Sequence, residues 1–177
     1  MEIEAYIIKK KEIHSSLLDF IEAIDDSFIN FQELIEVFDK YDITNNKNET
    51  LELLYLISII ADNHQRCPDF FTKLEQIFEY IFQDKKSQIS NYEIFSIFEY
   101  NKRILYLLLE RQFLIPEESF MKSIMKGKDT NKFKYIQYLY PVIKPFIGKR
   151  KRKKYEYEIS LFFHEKMEIF SEKCKNG

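Results

Sequence analysis

SNYEIFSIFEYNKRILYLLL, running from Ser90 to Leu109, decides the fold class. Ser90 and Glu93 stand at capping-box spacing: the serine hydroxyl can accept from the backbone N–H of residue 93 while the glutamate reaches back to the N–H of Ser90. Ile94, Ile97 and Phe98 follow at the three- and four-residue steps of one helix face. Asn101 is expected to start the next helix, in which Ile104, Leu105, Leu108 and Leu109 repeat the pattern. Two short amphipathic helices with neither Gly nor Pro between them imply an antiparallel pair.

The same grammar extends toward the N-terminus. Ile3, Tyr6, Ile7, Ile13, Leu17, Phe20, Ile21 and Ile24 mark a helix from about Ile3 to Ile24. Asp25, Asp26 and Ser27 offer caps for a second helix with Phe28, Phe31, Leu34, Ile35 and Phe38 along one side. Asn46 and Glu49 repeat the capping-box spacing ahead of a third helix through Leu51, Leu54, Ile57 and Ala61. That helix is apolar nearly all round and is expected to be the most buried. Pro68 suits the first turn of a fourth helix, with Phe71, Leu74, Ile77, Phe78 and Ile81 facing inward. Shifting the chain by 40 residues lays Leu17 on Ile57, Phe31 on Phe71, Leu34 on Leu74 and Phe38 on Phe78. Helical stripes match partly for free at that offset, close to eleven turns of about 3.6 residues, yet the match suggests stacked hairpins.

Toward the C-terminus, Pro116 is expected to start a short helix ending near Gly127, and a further helix spans about Asn131 to Tyr140, where Pro141 interrupts it. Gly148 and a basic run mark a boundary before a last helix with Tyr155, Ile159, Phe162, Phe163 and Phe170 on one face. The expected organisation is a helical-hairpin domain over 1–147, a basic connector over 148–154 and a C-terminal amphipathic helix over 155–177. That helix should pack its apolar face on the last hairpin and cap the stack.

Composition agrees with a packed all-α protein. Of 177 residues 45% are hydrophobic, and three Gly and four Pro leave little material for tight hairpins. Cys67 and Cys174 are far apart, which suits a reducing compartment better than a disulfide framework. Leu53–Ala61 and Ile104–Leu109 are the longest nearly apolar stretches and fall short of the ~20 residues of a bilayer span. The start, MEIEAYIIKKK, has no long apolar stretch of a secretory signal. The expected location is the cytoplasm, with the nucleus as the alternative.

Catalytic and metal motifs are missing from the sequence. His64 and Cys67 form H-x-x-C near Asp62, but no second close pair completes four zinc ligands, and a helix-end His beside a packed Cys is the plainer reading. His164-Glu165-Lys166-Met167-Glu168 lacks the second His of H-E-x-x-H. Three isolated glycines build no phosphate loop, and no G-x-S-x-G elbow occurs. The chain is expected to be no enzyme and to need no cofactor or metal.

Lys149, Arg150, Lys151, Arg152, Lys153 and Lys154 are the one sharp local signal. Six adjacent cations repel one another, so the run is expected to be exposed and irregular in its first half. It fits a nuclear-import peptide or a phosphate-contacting patch; the plainer reading is a solvated hinge. The remaining 21 basic against 29 acidic residues disfavour nucleic acid and anionic membrane as partners of the surface as a whole. Tyr155 and Tyr157, next to the run, are expected to pack in the core rather than to stack on bases.

Ser90–Pro116 (SNYEIFSIFEYNKRILYLLLERQFLIP), Asn63–Leu74 (NHQRCPDFFTKL) and Tyr138–Phe146 (YLYPVIKPF) resemble the N-terminal region of a large family of protist ankyrin-repeat proteins. The resemblance covers roughly residues 5 to 147, and the T-P-L-H signature of regular ankyrin repeats is absent. It implies an ankyrin-like solenoid of stacked helix pairs and transfers no catalytic or binding residue. The expected function is a non-enzymatic scaffold or adaptor for an unidentified protein partner; the alternative is a nuclear or nucleic-acid-associated factor using residues 149–154.

Overall fold

Side-chain caps set where several helices of this chain begin. A computed structural model describes residues 2–22, 31–64, 69–83, 89–118, 121–122 and 132–175, and its regular structure is entirely helical. Helix α1 (Glu2–Glu22) is followed by α2 (Phe31–Lys40), α3 (Lys47–His64), α4 (Phe70–Phe82), α5 (Asn91–Phe98), α6 (Lys102–Glu110), α7 (Lys132–Ile143) and α8 (Lys149–Lys175). Short 3-10 turns at Ile43–Asn45 and Lys144–Phe146 precede α3 and α8. The chain forms two compact units, Met1–Leu108 and Leu109–Gly177. The expected 1–147 domain is therefore divided within α6.

In the first unit three side chains on described residues, Ser90, Asn101 and Asn46, act as caps. The Ser90 hydroxyl accepts from the Glu93 N–H at 3.2 Å, and Glu93 accepts from the Ser90 N–H at 2.8 Å, closing the box. Asn101 Oδ1 accepts from the Ile104 N–H at 3.1 Å, and its amide donates to Asp62 at 3.3 Å, tying the start of α6 to the end of α3. Asn46 Oδ1 accepts from the N–H groups of Asn48 and Glu49 at 3.1 and 3.4 Å. The Glu49 carboxylate itself reaches Lys9 of α1 at 2.8 Å. One residue further on, the buried Thr50 hydroxyl lies 2.6 Å from the Ile43 carbonyl and 2.9 Å from that of Asn46, fastening the 3-10 turn to α3.

The six helices of this unit contact one another in an alternating order. α3 lies against both α1 and α5. α2 meets α4 through the Phe38 and Tyr80 rings, 5.9 Å apart, and through a hydrogen bond from the Tyr80 hydroxyl to Asp39. α4 meets α6 through Arg103, whose guanidinium lies 4.1 Å from the centre of the Phe71 ring. Odd helices thus neighbour odd and even neighbour even, α1 also packs against α2, and the core lies between the two sets. There Leu17, Leu54 and Ile57 of the odd helices and Leu34, Leu74 and Phe78 of the even ones are fully enclosed. Phe78 meets Phe98 edge-on at 5.6 Å. At the start of α4 the buried ring is that of Phe70, while Phe71, expected to face inward, is half-buried beneath Arg103.

In the second unit Ile136, Leu139, Ile143, Ile147 and Tyr155 are buried. Pro141 does not end α7, which continues to Ile143. Its ring is exposed and sits in the last turn, so the missing N–H removes one bond near a helix end instead of breaking the interior. The expected basic connector is also corrected, because α8 starts at Lys149 and contains the whole run. Gly148 supplies the carbonyl that accepts the first bond of α8, from the Arg152 N–H at 3.0 Å. Lys and Arg are good helix formers, and winding them into a helix spreads their charges around its circumference. Tyr157, expected in the core, is 65% exposed. Asp25, Asp26, Ser27, Phe28, Cys67, Pro68, Gly127 and Asn131 lie outside the described residues, as do the side chains of Phe31, His64, Phe162 and Phe170.

Candidate functional site

α3 carries apolar residues on more sides than its neighbours can cover. Leu53, Leu54, Ile57, Ile60 and Ala61 are buried in the unit. Leu51 and Leu56 are only half-buried, and Tyr55 and Ile59 stand 61% and 43% exposed. The expectation that α3 would be the most buried helix thus fails on one face. That face is the floor of a groove of about 570 Å³. α1 contributes Lys10 and Ile13 as one wall, and α5 contributes Tyr92, Glu93, Ser96 and Ile97 as the other. Tyr92 is 53% exposed, so three large apolar side chains of the groove face solvent together.

The charged groups that line the groove are already engaged. Glu49 pairs with Lys9 at 2.8 Å and Glu52 with Lys10 at 2.9 Å. Glu93 pairs with Lys47 at 2.8 Å while closing the α5 capping box. The Lys47 ammonium first, and the Ser90 N–H second, hold the Glu93 carboxyl below the usual carboxylate range. These pairs brace α1 and α5 against α3. The Lys10–Glu52 and Lys47–Glu93 pairs remain partly open to solvent, where ion pairs add little to stability and serve mainly to fix the walls. An apolar floor with fixed, mutually neutralised charges at the rim can take up apolar side chains. Among the described residues no cluster of three or more His, Cys, Asp or Glu is placed to hold a metal ion, and no helix is long and apolar enough to cross a membrane.

The basic run is brought together, but as a helix. Lys149, Arg150, Lys151, Lys153 and Lys154 are exposed and Arg152 is half-buried. Arg152 Nε donates to the Ile147 carbonyl at 2.6 Å, and Lys154 pairs with Glu118 at 3.1 Å. The Lys154 and Lys122 ammonium groups hold the Glu118 carboxyl below its usual range. Lys149, Arg150, Lys151 and Lys153 have no ion-pair partner among the described residues. They lie at the positive end of the helix dipole, where cations are disfavoured. On the inner side, Lys144 pairs with Glu156 at 3.0 Å, and the Tyr140 hydroxyl lies 3.4 Å from the same carboxylate. Burial first, and the Glu156 charge second, push the Tyr140 phenol up to about 12.

No groove residue was singled out from the sequence as a site. The available signal was Leu53–Ala61, an apolar stretch without a solvent face of its own. No family model, curated protein or solved structure matches the chain.

Proposed function

We propose that this chain is a non-enzymatic protein-binding module, an ankyrin-like scaffold or adaptor, whose α1–α3–α5 groove receives the apolar face of an amphipathic helical segment of a partner protein. The observation that carries the reading is the joint exposure of Tyr55, Ile59 and Tyr92 over a groove of about 570 Å³. Contiguous apolar surface of this kind marks interaction sites, and side chains at i, i+3, i+4 and i+7 of a helix are its natural occupants. The ankyrin-like part rests on the resemblance of Ser90–Pro116, Asn63–Leu74 and Tyr138–Phe146. It is supported by the odd-with-odd, even-with-even contacts of α1 to α6, the order that stacked helix hairpins produce.

The test is selection from a random peptide display library, followed by rebinding to a Tyr55→Glu, Ile59→Glu double variant. Neither side chain belongs to the buried core, so the fold should survive the change. Peptides enriched on the parent should carry helically spaced apolar residues and bind the variant at least about tenfold more weakly, since truncating central apolar anchors commonly costs more than 1 kcal/mol. Equal binding to both proteins refutes the groove.

A further inference from the structure

The solvent side of α8 carries a charge order that complements itself under a two-fold rotation. Successive residues turn about 100° around a helix, so Lys149, Lys153, Tyr157, Leu161, Glu168 and Glu172 share an arc of about 140°. All six are exposed, Tyr157 at 65% and Leu161 at 46%. Tyr155, on the far side of this arc, is buried in the unit. The arc is thus the outward face: basic at its start, apolar in its middle and acidic toward its end. Lys149 and Lys153 have no ion-pair partner among the described residues, and Glu168 meets only His164 of its own helix, at 3.5 Å, in the ion pairs described.

We propose that α8 pairs antiparallel with α8 of a second copy of this chain, basic half against acidic half. With the two-fold axis between Ser160 and Leu161, Lys149 faces Glu172 of the other copy, Lys153 faces Glu168, and Tyr157 faces His164. Each contact occurs twice, as an isologous interface requires. The opposite, parallel arrangement sets cation on cation and is disfavoured. A nucleic-acid backbone would answer the basic half but would meet Glu165, Glu168 and Glu172 further along the same helix. The overlapping stretch from Lys149 to Glu172 is about 35 Å long, and a helix contact about 10 Å wide then buries roughly 700 Å² in total. That lies below the standard interface, so the dimer is weak, reversible and sensitive to salt. This pairing stands apart from the groove, which belongs wholly to Met1–Leu108.

Charge exchange tests it. Sedimentation equilibrium of the full chain at high micromolar concentration and low salt should show a monomer–dimer equilibrium, weakened about tenfold or more in roughly 0.5 M salt. Lys149→Glu with Lys153→Glu, and separately Glu168→Lys with Glu172→Lys, should each leave a monomer. Mixing the two variants should restore a dimer, because each reversed half then meets its complement. Leu161→Cys on a Cys174→Ser background gives a second readout: mild oxidation should link two chains at residue 161. In the parent the two Cys174 residues would lie about 40 Å apart, beyond disulfide reach. A parent that stays monomeric, reversed variants that dimerise like the parent, or a mixture that does not associate overturns the proposal. So does a monomeric parent that binds duplex DNA through Lys149 and Lys153.

Discussion

Asn101 is the residue on which the junction of α3 and α6 turns, and replacing it measures that junction. The residue is 8% exposed, and its Oδ1 is the acceptor for the N–H of Ile104, a residue with no exposed surface. An N-cap lost at an exposed helix start costs about 1 kcal/mol. Here water cannot readily replace the acceptor, which moves Asn101→Ala to the upper end, about 2 kcal/mol. At about 4 °C per kcal/mol for a unit of this size, the melting temperature should fall by about 8 °C. Asn101→Ser keeps an acceptor and gives up the 3.3 Å contact to Asp62, so it should lose about 3 °C or less. Asn101→Asp keeps the cap but sets a second carboxylate beside Asp62, so it should fall between the two at neutral pH. Circular dichroism melts of the three variants decide the matter. If Asn101→Ala melts within 2 °C of the parent, or if Ser costs as much as Ala, the buried acceptor is not what holds the start of α6.

Other outcomes follow from individual contacts. Thr50→Val preserves shape but removes the hydroxyl beside the Ile43 and Asn46 carbonyls, and should lower stability by about 1–2 kcal/mol in urea titration. Ser90→Ala breaks one half of the α5 capping box and should cost about 1 kcal/mol in the same assay; a larger effect on peptide binding than on stability would place the α5 wall in recognition. The Tyr140 phenol titrates near 12 in the fold and near 10 in an unfolded chain, so between those values the unfolded state releases a proton that the folded state keeps. Stability contributed by Tyr140 is therefore fully present below about pH 10 and is lost as pH rises toward about 12. Tyr140→Phe should flatten that part of a plot of melting temperature against pH, and an unchanged slope would refute the assignment.

Local signals were legible in the sequence, and neighbour-dependent ones were not. The starts of α3, α5 and α6 could be read from Asn46, Ser90 and Asn101 because a cap involves atoms within three residues of each other. The 40-residue offset lays α1 on α3 and α2 on α4, two pairs of helices that touch in the fold. The groove escaped notice because an apolar stretch such as Leu53–Ala61 states a need for cover without stating how many neighbours supply it. With α1 and α5 flanking α3, Tyr55 and Ile59 remain open. The basic run was misjudged for a different reason. Repulsion between neighbours along the chain points to an irregular run, whereas a helix separates adjacent side chains by about 100° and lets Ile147 and Glu118 engage two of the six cations. Pro141 misled because its place in the last turn, rather than its presence, determines what it costs.

The helical state of residues 149–154 also bears on how the chain is degraded. Six consecutive Lys and Arg side chains make this the densest target for a trypsin-like protease in the sequence. Such an enzyme needs an extended strand in its cleft, and α8 offers none until its first turns open. Cleavage there should run at the intrinsic rate multiplied by the open fraction, so each 1.4 kcal/mol of local stability slows it about tenfold. Limited proteolysis thereby becomes a gauge of fraying at the start of α8. Whatever covers the cations or lengthens the lifetime of that turn would be read as a longer-lived protein.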